Sequence, residues 1–410
     1  MKILHINNYY KKGGAETVFN ITRLNLFNFE NFSGFAGTEI DDETPDINFS
    51  TWENRNKISG IINYIFSCNN YKKLLDFLTD NEIDIIHIHG FFTSLSPSLL
   101  LAIKKIKRIK QIKVIQTLHD YHPICPNSSL FNYSKKTLCE KCVGEKYKFH
   151  IFIDNCDRRG IFFSIIKGVR SLIANNILRQ RELIDCFISP SIFLKEKILQ
   201  DGFDPKKIKL LRYPMLIPQR DIPREKADLI CFFGRFSEEK NIAFLIKAFG
   251  KWKEKSQNNF KLLIIGEGER EAELKDLASK EKCSQDIITK PFMSQDNLVD
   301  TIKSAKYSAI TSKWYENFPM SIIESVILNI LPIAPDIGGM NEMINDFFRV
   351  GKTYKSGVID SWISTIEYLE NNYETEIKKF EGLKNTILSD YSVEAYIKNV
   401  GELYYEIVNT

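Results

Sequence analysis

The chain has 410 residues, which at roughly 150 residues per domain points to two or three domains, with two of about 200 the reading taken. Its 43% hydrophobic residues, with 29 Phe and 17 Tyr, supply core material that excludes a disordered, collagen-like or coiled-coil chain. Fifty-six Lys+Arg against 52 Asp+Glu leave a net charge of +4, too weak a field to argue by itself for a nucleic-acid binder.

No run approaches the roughly 18 to 20 apolar residues that cross a bilayer. The opening, MKILHINNYYKKGGAE, turns polar where a signal peptide would continue apolar, so a cytoplasmic protein is expected. Eight cysteines are too sparse for a disulfide scaffold.

In chain order, short apolar or β-branched runs alternate with longer helical stretches. The runs of the first half are KILHIN (2–7), IDIIHIH (83–89), IKVIQTL (112–118) and DCFIS (185–189). After the Pro-punctuated stretch YPMLIPQRDIP the rhythm restarts with DLICFFG (228–234), KLLIIG (261–266), IITK (287–290), YSAITS (307–312) and LPIAP (331–335). The alternation predicts βα units, hence parallel sheets in two doubly wound α/β domains, 1–218 and 219–410. Such sheets bind ligands outside the carboxyl ends of their strands, so the cleft between the halves is the expected site. From about 356 the pattern is helical only and ends in a closing helix, about 392–408, counted within the second domain but expected to close back on the N-terminal one.

Chemistry is concentrated at the predicted strand exits. WYENFPMSIIE (314–324) follows a strand and opens a helix, with Pro319 suited to the first turn. Such a helix start favours an anion, and Glu316 and Glu324 would accept hydroxyl groups beside it; equally, both carboxylates would favour a helix start and solvate a surface. The loop GRFSEEKN presents Arg235 and Lys240, two cations able to neutralise a leaving diphosphate or simply to be solvated. Gly13-Gly14 after the first strand lets backbone approach a phosphate. Without GxGxxG or the Lys of GxxxxGK[ST], neither a Rossmann dehydrogenase nor a P-loop ATPase is supported, and Gly266-Glu-Gly268 reads as a tight turn leaving a strand. His119 and Asp120 end another strand of the first half, and His87 is assigned a structural role.

In this order, GGAE, IDIIHIHG, TLHDYHPICP, FFGRFSEEKN, IIGEGE, WYENFPMSIIES and PIAPDIGGMNEMI resemble glycosyltransferase family 4, retaining nucleotide-sugar glycosyltransferases of the two-Rossmann GT-B fold. The resemblance covers nearly the whole chain. It implies that Arg235 and Lys240 hold the donor diphosphate, that Glu324 binds the ribose hydroxyls, and that Glu316 contacts the donor sugar near its reacting carbon. Amides around Asn317 and Phe318 would cap the phosphate; the family usually has Gly-Phe there, so Asn317 is a departure within a known Glu-Asn-Phe-Pro variant. Gly13 and Gly14 would approach the diphosphate, His119 would bond the transferred sugar, and Asp120 and Glu16 would contact sugar or acceptor. The donor would be a UDP- or GDP-sugar, the acceptor a glycan or lipid-linked glycan of a capsule, O-antigen or exopolysaccharide, and no catalytic metal is expected. A pyridoxal-dependent phosphorylase would be longer; a non-catalytic sugar-nucleotide-binding partner subunit is the alternative.

Cys125, Cys139, Cys142 and Cys156 fall as C-x13-C-x2-C-x13-C in an insert of about 125–160. They have the ligand count of a structural tetrathiolate zinc site, or act as small buried hydrophobes; Cys68, Cys186, Cys231 and Cys283 read as packing residues. Basic residues crowd Lys104–Lys113 and alternate with Phe, Ile and Leu over Arg158–Leu178. They read as solvated helix faces or as a peripheral contact with the inner face of a membrane.

Overall fold

The computed structural model of the protein describes residues 1–11, 13–37, 43–53, 57–216, 220–256 and 258–410. Its strands are β1 (Lys2–Tyr9), β2 (Glu30–Ala36), β3 (Ile47–Asn48), β4 (Ile85–Ile88), β5 (Lys113–Thr117), β6 (Phe131–Asn132), β7 (Thr137–Leu138), β8 (Cys186–Ser189), β9 (Ile208–Leu210), β10 (Ala227–Phe233), β11 (Lys261–Ile265), β12 (Ile287–Lys290), β13 (Ala305–Ala309), β14 (Leu331–Pro335) and β15 (Lys352–Tyr354). One sheet has the order β3-β2-β1-β4-β5-β8-β9 and the other β12-β11-β10-β13-β14-β15, while β6 and β7 form an antiparallel hairpin. Pairing is parallel throughout the two large sheets.

The central strands are buried almost end to end, as β14 shows over all five residues. Helices cover both faces of such a sheet, so the strands read as continuous apolar runs rather than alternating ones. The runs found in the sequence are these central strands and the edge strand β12, whose burial alternates. The short or polar strands β2, β3, β9 and β15 were not among them, because ENFSGFA and the two- and three-residue strands carry too few apolar side chains to form a pattern.

Met1–Pro214 with Val393–Thr410 form one compact unit, and Met215–Ser392 form the other. The boundary expected near residue 218 falls outside the described residues. By its contacts the closing helix Val393–Val408 belongs to the first unit, as expected of a helix that closes back on the N-terminal domain, although chain order counts it within 219–410. Tyr396 Oη meets Thr22 Oγ1 at 3.0 Å and Tyr404 Oη meets His87 Nδ1 at 2.6 Å. Cys186, Cys231 and Cys283 are buried as packing residues, but Cys68 is exposed at the start of the helix Cys68–Asp80.

Candidate functional site

In the second unit the strand order reverses between β10 and β13, the switch point at which a doubly wound sheet opens room for a ligand. Gly234 and Arg235 leave β10 and run into a single 3-10 turn, Glu238–Lys240; the loop leaving β13 runs to the helix Met320–Ile327. Thr311 Oγ1 donates to the Lys240 carbonyl at 2.7 Å, and the Lys313 amide to the Glu239 carbonyl at 2.9 Å, which laces the two loops into one platform.

Lys240 Nζ lies 2.6 Å from Glu316 Oε1, and the same oxygen accepts from Ser312 Oγ and Trp314 Nε1, both at 2.7 Å. Burial raises the Glu316 pKa, but Lys240 and these donors outweigh it and hold the group below its ordinary value. Glu316 is thus an ionised acceptor of fixed orientation, with its cation already in place. The Arg235 guanidinium is 58% exposed and reaches Glu239 Oε1 at 3.3 Å. Glu239 is itself buried, and its Oε2 has no hydrogen-bond partner among the described residues.

Two glycines hold this backbone close. Gly266 sits at φ +150°, and a Cβ there would fall 1.9 Å from the Gly234 carbonyl oxygen. A Cβ on Gly339 would fall 1.8 Å from the Asn317 carbonyl oxygen, and the Gly339 amide donates to Glu316 O at 2.8 Å. Larger residues would push the Arg235 and Glu316 loops out of place.

Pro319 is not in the first helical turn as expected but is the N-cap, with φ −66° and ψ 119°. It offers no side-chain cap, and the Ile322 amide turns back to its carbonyl at 3.1 Å; a helix start of this kind suits an anion such as a phosphate. Asn317 and Phe318 are buried just before it. Glu324 lies about one turn into the helix and accepts from Gln295 Nε2 at 3.0 Å. Burial pushes its pKa up to about 7, with the Gln295 bond opposing.

In the first unit the order reverses between β1 and β4. Gly13 caps the helix Gly14–Asn25 in extended conformation, and a Cβ on it would meet only Glu16 Oε2 at 3.6 Å. Gly13 therefore relieves no strain, and the Glu16 side chain lies beside this helix start. Glu16 Oε1 lies 3.5 Å from Asn7 Nδ2.

His119 leaves β5 with Nδ1 at 2.6 Å from Tyr213 Oη, while its buried Nε2 has no hydrogen-bond partner among the described residues. Burial lowers its pKa to about 4, so the ring is neutral near pH 7 and Nε2 suits a hydroxyl group. Asp120, expected to meet sugar or acceptor, accepts at Oδ1 from the backbone amide and Nδ1 of His122, at 2.8 and 2.6 Å.

Ring nitrogens of His5, His87 and His89 lie within 4.8 Å of one another. His87, however, commits both nitrogens, to Tyr404 Oη and to Thr117 Oγ1 at 2.8 Å, which fits the structural role assigned to it and leaves the trio short of donors for an ion. The four cysteines of the insert are free thiols, Cys125, Cys142 and Cys156 buried and Cys139 partly so.

The partners that fix these groups were not read from the sequence. Ser312, Trp314 and Gln295 lie outside any fixed spacing to their glutamates, and Tyr213 comes 94 residues after His119. Gly338-Gly339 was visible as a doublet, but only the packing shows what it presses against.

Residues 217–380 match the family described as Glycosyl transferases group 1. A stretch of 153 residues, 37% of the chain, is 29% identical to an uncharacterized glycosyltransferase of Methanocaldococcus jannaschii, and spans 38% of that protein. Another of 155 residues, also 37% of the chain, is 26% identical to a Campylobacter jejuni enzyme named as a GalNAc-alpha-(1->4)-GalNAc-alpha-(1->3)-diNAcBac-PP-undecaprenol alpha-1,4-N-acetyl-D-galactosaminyltransferase, over 42% of its length. The chain thus matches well under half the length of these curated relatives. The structure as a whole is similar to that of Anabaena HepE in complex with UDP, with a TM-score of 0.70 and 14% identity over 99% of this chain and 100% of that one. It is likewise similar to a glycosyltransferase from Rickettsia africae, with a TM-score of 0.68 and 17% identity over 99% and 98%. These likenesses establish the fold class, two parallel-sheet Rossmann-like domains of the GT-B type.

Proposed function

We propose that the chain is a retaining, family 4 hexosyltransferase that moves a sugar from a nucleoside-diphosphate donor to a glycan or lipid-linked acceptor in cell-surface polysaccharide assembly. The observation that carries this reading is the Lys240–Glu316 pair at the β10–β13 switch point, with an uncapped helix start and Glu324 beside it. Cation, anion-binding amides and hydroxyl acceptors are grouped there as a sugar nucleotide requires. The family match spans these residues, and the solved UDP complex of a similarly folded protein favours UDP over GDP as the first donor to test.

In this reading the diphosphate lies against the amides of the Met320–Ile327 helix start, and Glu324 accepts from the ribose hydroxyls. Glu316 holds the sugar near its reacting carbon. The bond from that carbon to the diphosphate oxygen breaks with its electron pair leaving on the diphosphate. The acceptor oxygen forms its bond from the same face, and its proton passes to the departing phosphate oxygen. Arg235 and Lys240 stabilise the growing charge, the service a divalent cation would otherwise render. Neutral His119 offers Nε2 to a sugar hydroxyl.

A lipid-linked acceptor would bring the chain to a membrane surface. No helix among the described residues is long and apolar enough to cross one. The insert does expose Phe149 and Ile153, and the helix Ile161–Leu172 that follows it exposes Ile161, Phe162 and Ile165, apolar side chains suited to a peripheral contact.

The test is a panel of nucleoside diphosphates and their sugars, read by thermal shift and slow donor hydrolysis, with Glu316→Ala alongside. Stabilisation by one diphosphate is expected, with hydrolysis lowered about 100-fold in the variant. Binding without turnover in the wild type would point to a non-catalytic partner subunit, and absence of any shift would remove the donor site.

A further inference from the structure

β5 is an interior strand of its sheet, yet it carries a fully buried glutamine, Gln116. A parallel strand covered on both faces ordinarily bears apolar side chains, because an amide taken out of water is costly unless it is hydrogen-bonded. Gln116 uses both ends of its amide. Its Oε1 accepts at 2.8 Å from Nε2 of Gln180, which is buried in the short helix Gln180–Leu183, and its Nε2 lies 3.0 Å from Nε2 of His122. His122 is buried in the loop that leaves β5. Its Nδ1 lies 2.6 Å from Asp120 Oδ1, which also accepts from the His122 amide at 2.8 Å. Gln180, Gln116, His122 and Asp120 thus form one hydrogen-bonded chain drawn from three places in the sequence.

The chain has a direction. Gln180 donates to Gln116 Oε1, which leaves Gln116 Nε2 as the donor toward His122. His122 Nε2 then accepts, so the ring proton sits on Nδ1 and is donated to the Asp120 carboxylate. Packing sets the plane of the ring: Phe92 stacks on it at 5.0 Å and 19°, and Phe91 meets it edge-on at 5.5 Å and 83°. Phe92 is held in turn by Arg170, whose guanidinium lies 4.4 Å over its ring and whose Nη1 donates to its carbonyl at 2.5 Å. Burial opposes charge on Asp120, but the His122 ring and amide outweigh it and hold the carboxyl below its ordinary value.

Only one oxygen of Asp120 is committed in this way. Its side chain stays 36% exposed, and Oδ2 is bonded by none of the described residues. An ionised carboxylate of fixed orientation, next in the chain to His119 with its unpartnered Nε2, is a ready acceptor for a hydroxyl group. Capping the turn would take only the backbone amide of His122, with neither the ring nor the two buried glutamines behind it. We propose that His122, aligned by Gln116 and Gln180, is a positioning residue that fixes Asp120 to accept a hydroxyl of the transferred sugar. This rests on the nucleotide-sugar donor proposed above.

The first test is nitrogen NMR of the histidine rings in the full chain, in which the signals lost in His122→Asn identify His122 among the six histidines. A protonated Nδ1 and an unprotonated Nε2 are expected; any other pattern would overturn the relay. The second uses the donor selected by the nucleotide panel and its free nucleoside diphosphate. His122→Phe, which keeps a ring against Phe91 and Phe92, should lower slow donor hydrolysis about 10-fold and weaken donor binding, while the free diphosphate binds as in wild type. Asp120→Asn should do the same, and the double variant should lose little more than either single one. His122→Asn, whose amide can donate from near the Nδ1 position, should recover most of the loss. Wild-type hydrolysis in His122→Phe, or equal losses for donor and free diphosphate, would overturn the proposal. If His122→Phe fails to fold, the wild-type tautomer and Asp120→Asn decide by the same criteria. A wild-type chain that binds no nucleotide would instead remove the donor reading, and this proposal with it.

Discussion

Glu324 titrates close to neutral pH, which makes its role measurable. Its carboxyl is raised by burial from the ordinary 4.5 to about 7, so without ligand the folded protein favours the protonated form. The stability this contributes is fully present below about pH 4.5 and is lost as pH rises through about 7. Ribose hydroxyls donate to the ionised form, so donor affinity should run the other way and strengthen as pH rises through 7. With the UDP-sugar selected by the panel, whose diphosphate does not titrate in this range, the dissociation constant should fall from about pH 6 to 8. Glu324→Gln should weaken binding by about 1.5–3 kcal/mol and flatten that dependence. A wild-type profile already flat by calorimetry, or a variant that keeps the slope, would remove Glu324 from the ribose site. His119, lowered to about 4, stays neutral across the same window and adds no slope of its own. At this scale the residue types that carry the chemistry were legible in the sequence, because a charge or a ring nitrogen is a property of the residue. Partners were not: that Asp120 Oδ1 accepts from His122 is seen only in the structure.

The helix Ile161–Leu172 shows how tertiary contacts change the meaning of a pattern. Its basic and aromatic alternation suggests an electrostatic membrane surface. Yet Lys167 and Arg159 pair with Asp157 at 2.7 and 3.0 Å, and buried Arg170 donates Nη2 to the Leu95 carbonyl at 2.8 Å while stacking 3.7 Å from the Tyr64 ring centre. Likewise Lys107 is held by Asp185 at 2.6 Å, and Lys110 by three backbone carbonyls. What the helix leaves exposed is apolar, with Phe162 at 56%, next to Ile153 at 78% on the neighbouring helix His150–Ile153. Any membrane contact here should therefore rest on burial of these side chains and depend little on salt or anionic lipid. In liposome flotation, an Ile153→Ser, Phe162→Ser double variant should lose co-flotation while slow donor hydrolysis persists. Wild-type protein left wholly at the bottom of the gradient would end the idea.

For the whole molecule, the chain's last helix packs in the unit that the chain's first residues build, with Tyr404 closing on the fully buried His87. Removing residues 393–410 should thus lower the melting of the first unit by several degrees or more, since it strips Tyr396, Val400, Leu403 and Tyr404 from a core. The melting of the 215–392 unit should be unchanged, and calorimetry of the truncated chain, with donor binding reporting on that unit, separates the two. A loss confined to the second unit would contradict the contacts. The sequence by itself determined the parallel α/β class, the central strands and the strand-end loops that hold Arg235, Lys240, Glu316 and Glu324. Those follow from local apolar runs and from where such runs stop. Tertiary structure alone decided the short strands β2, β3, β9 and β15 and the partners of the charged groups at the site. Each of these depends on contacts between residues far apart in the chain, such as Lys240 with Glu316, which no local pattern encodes.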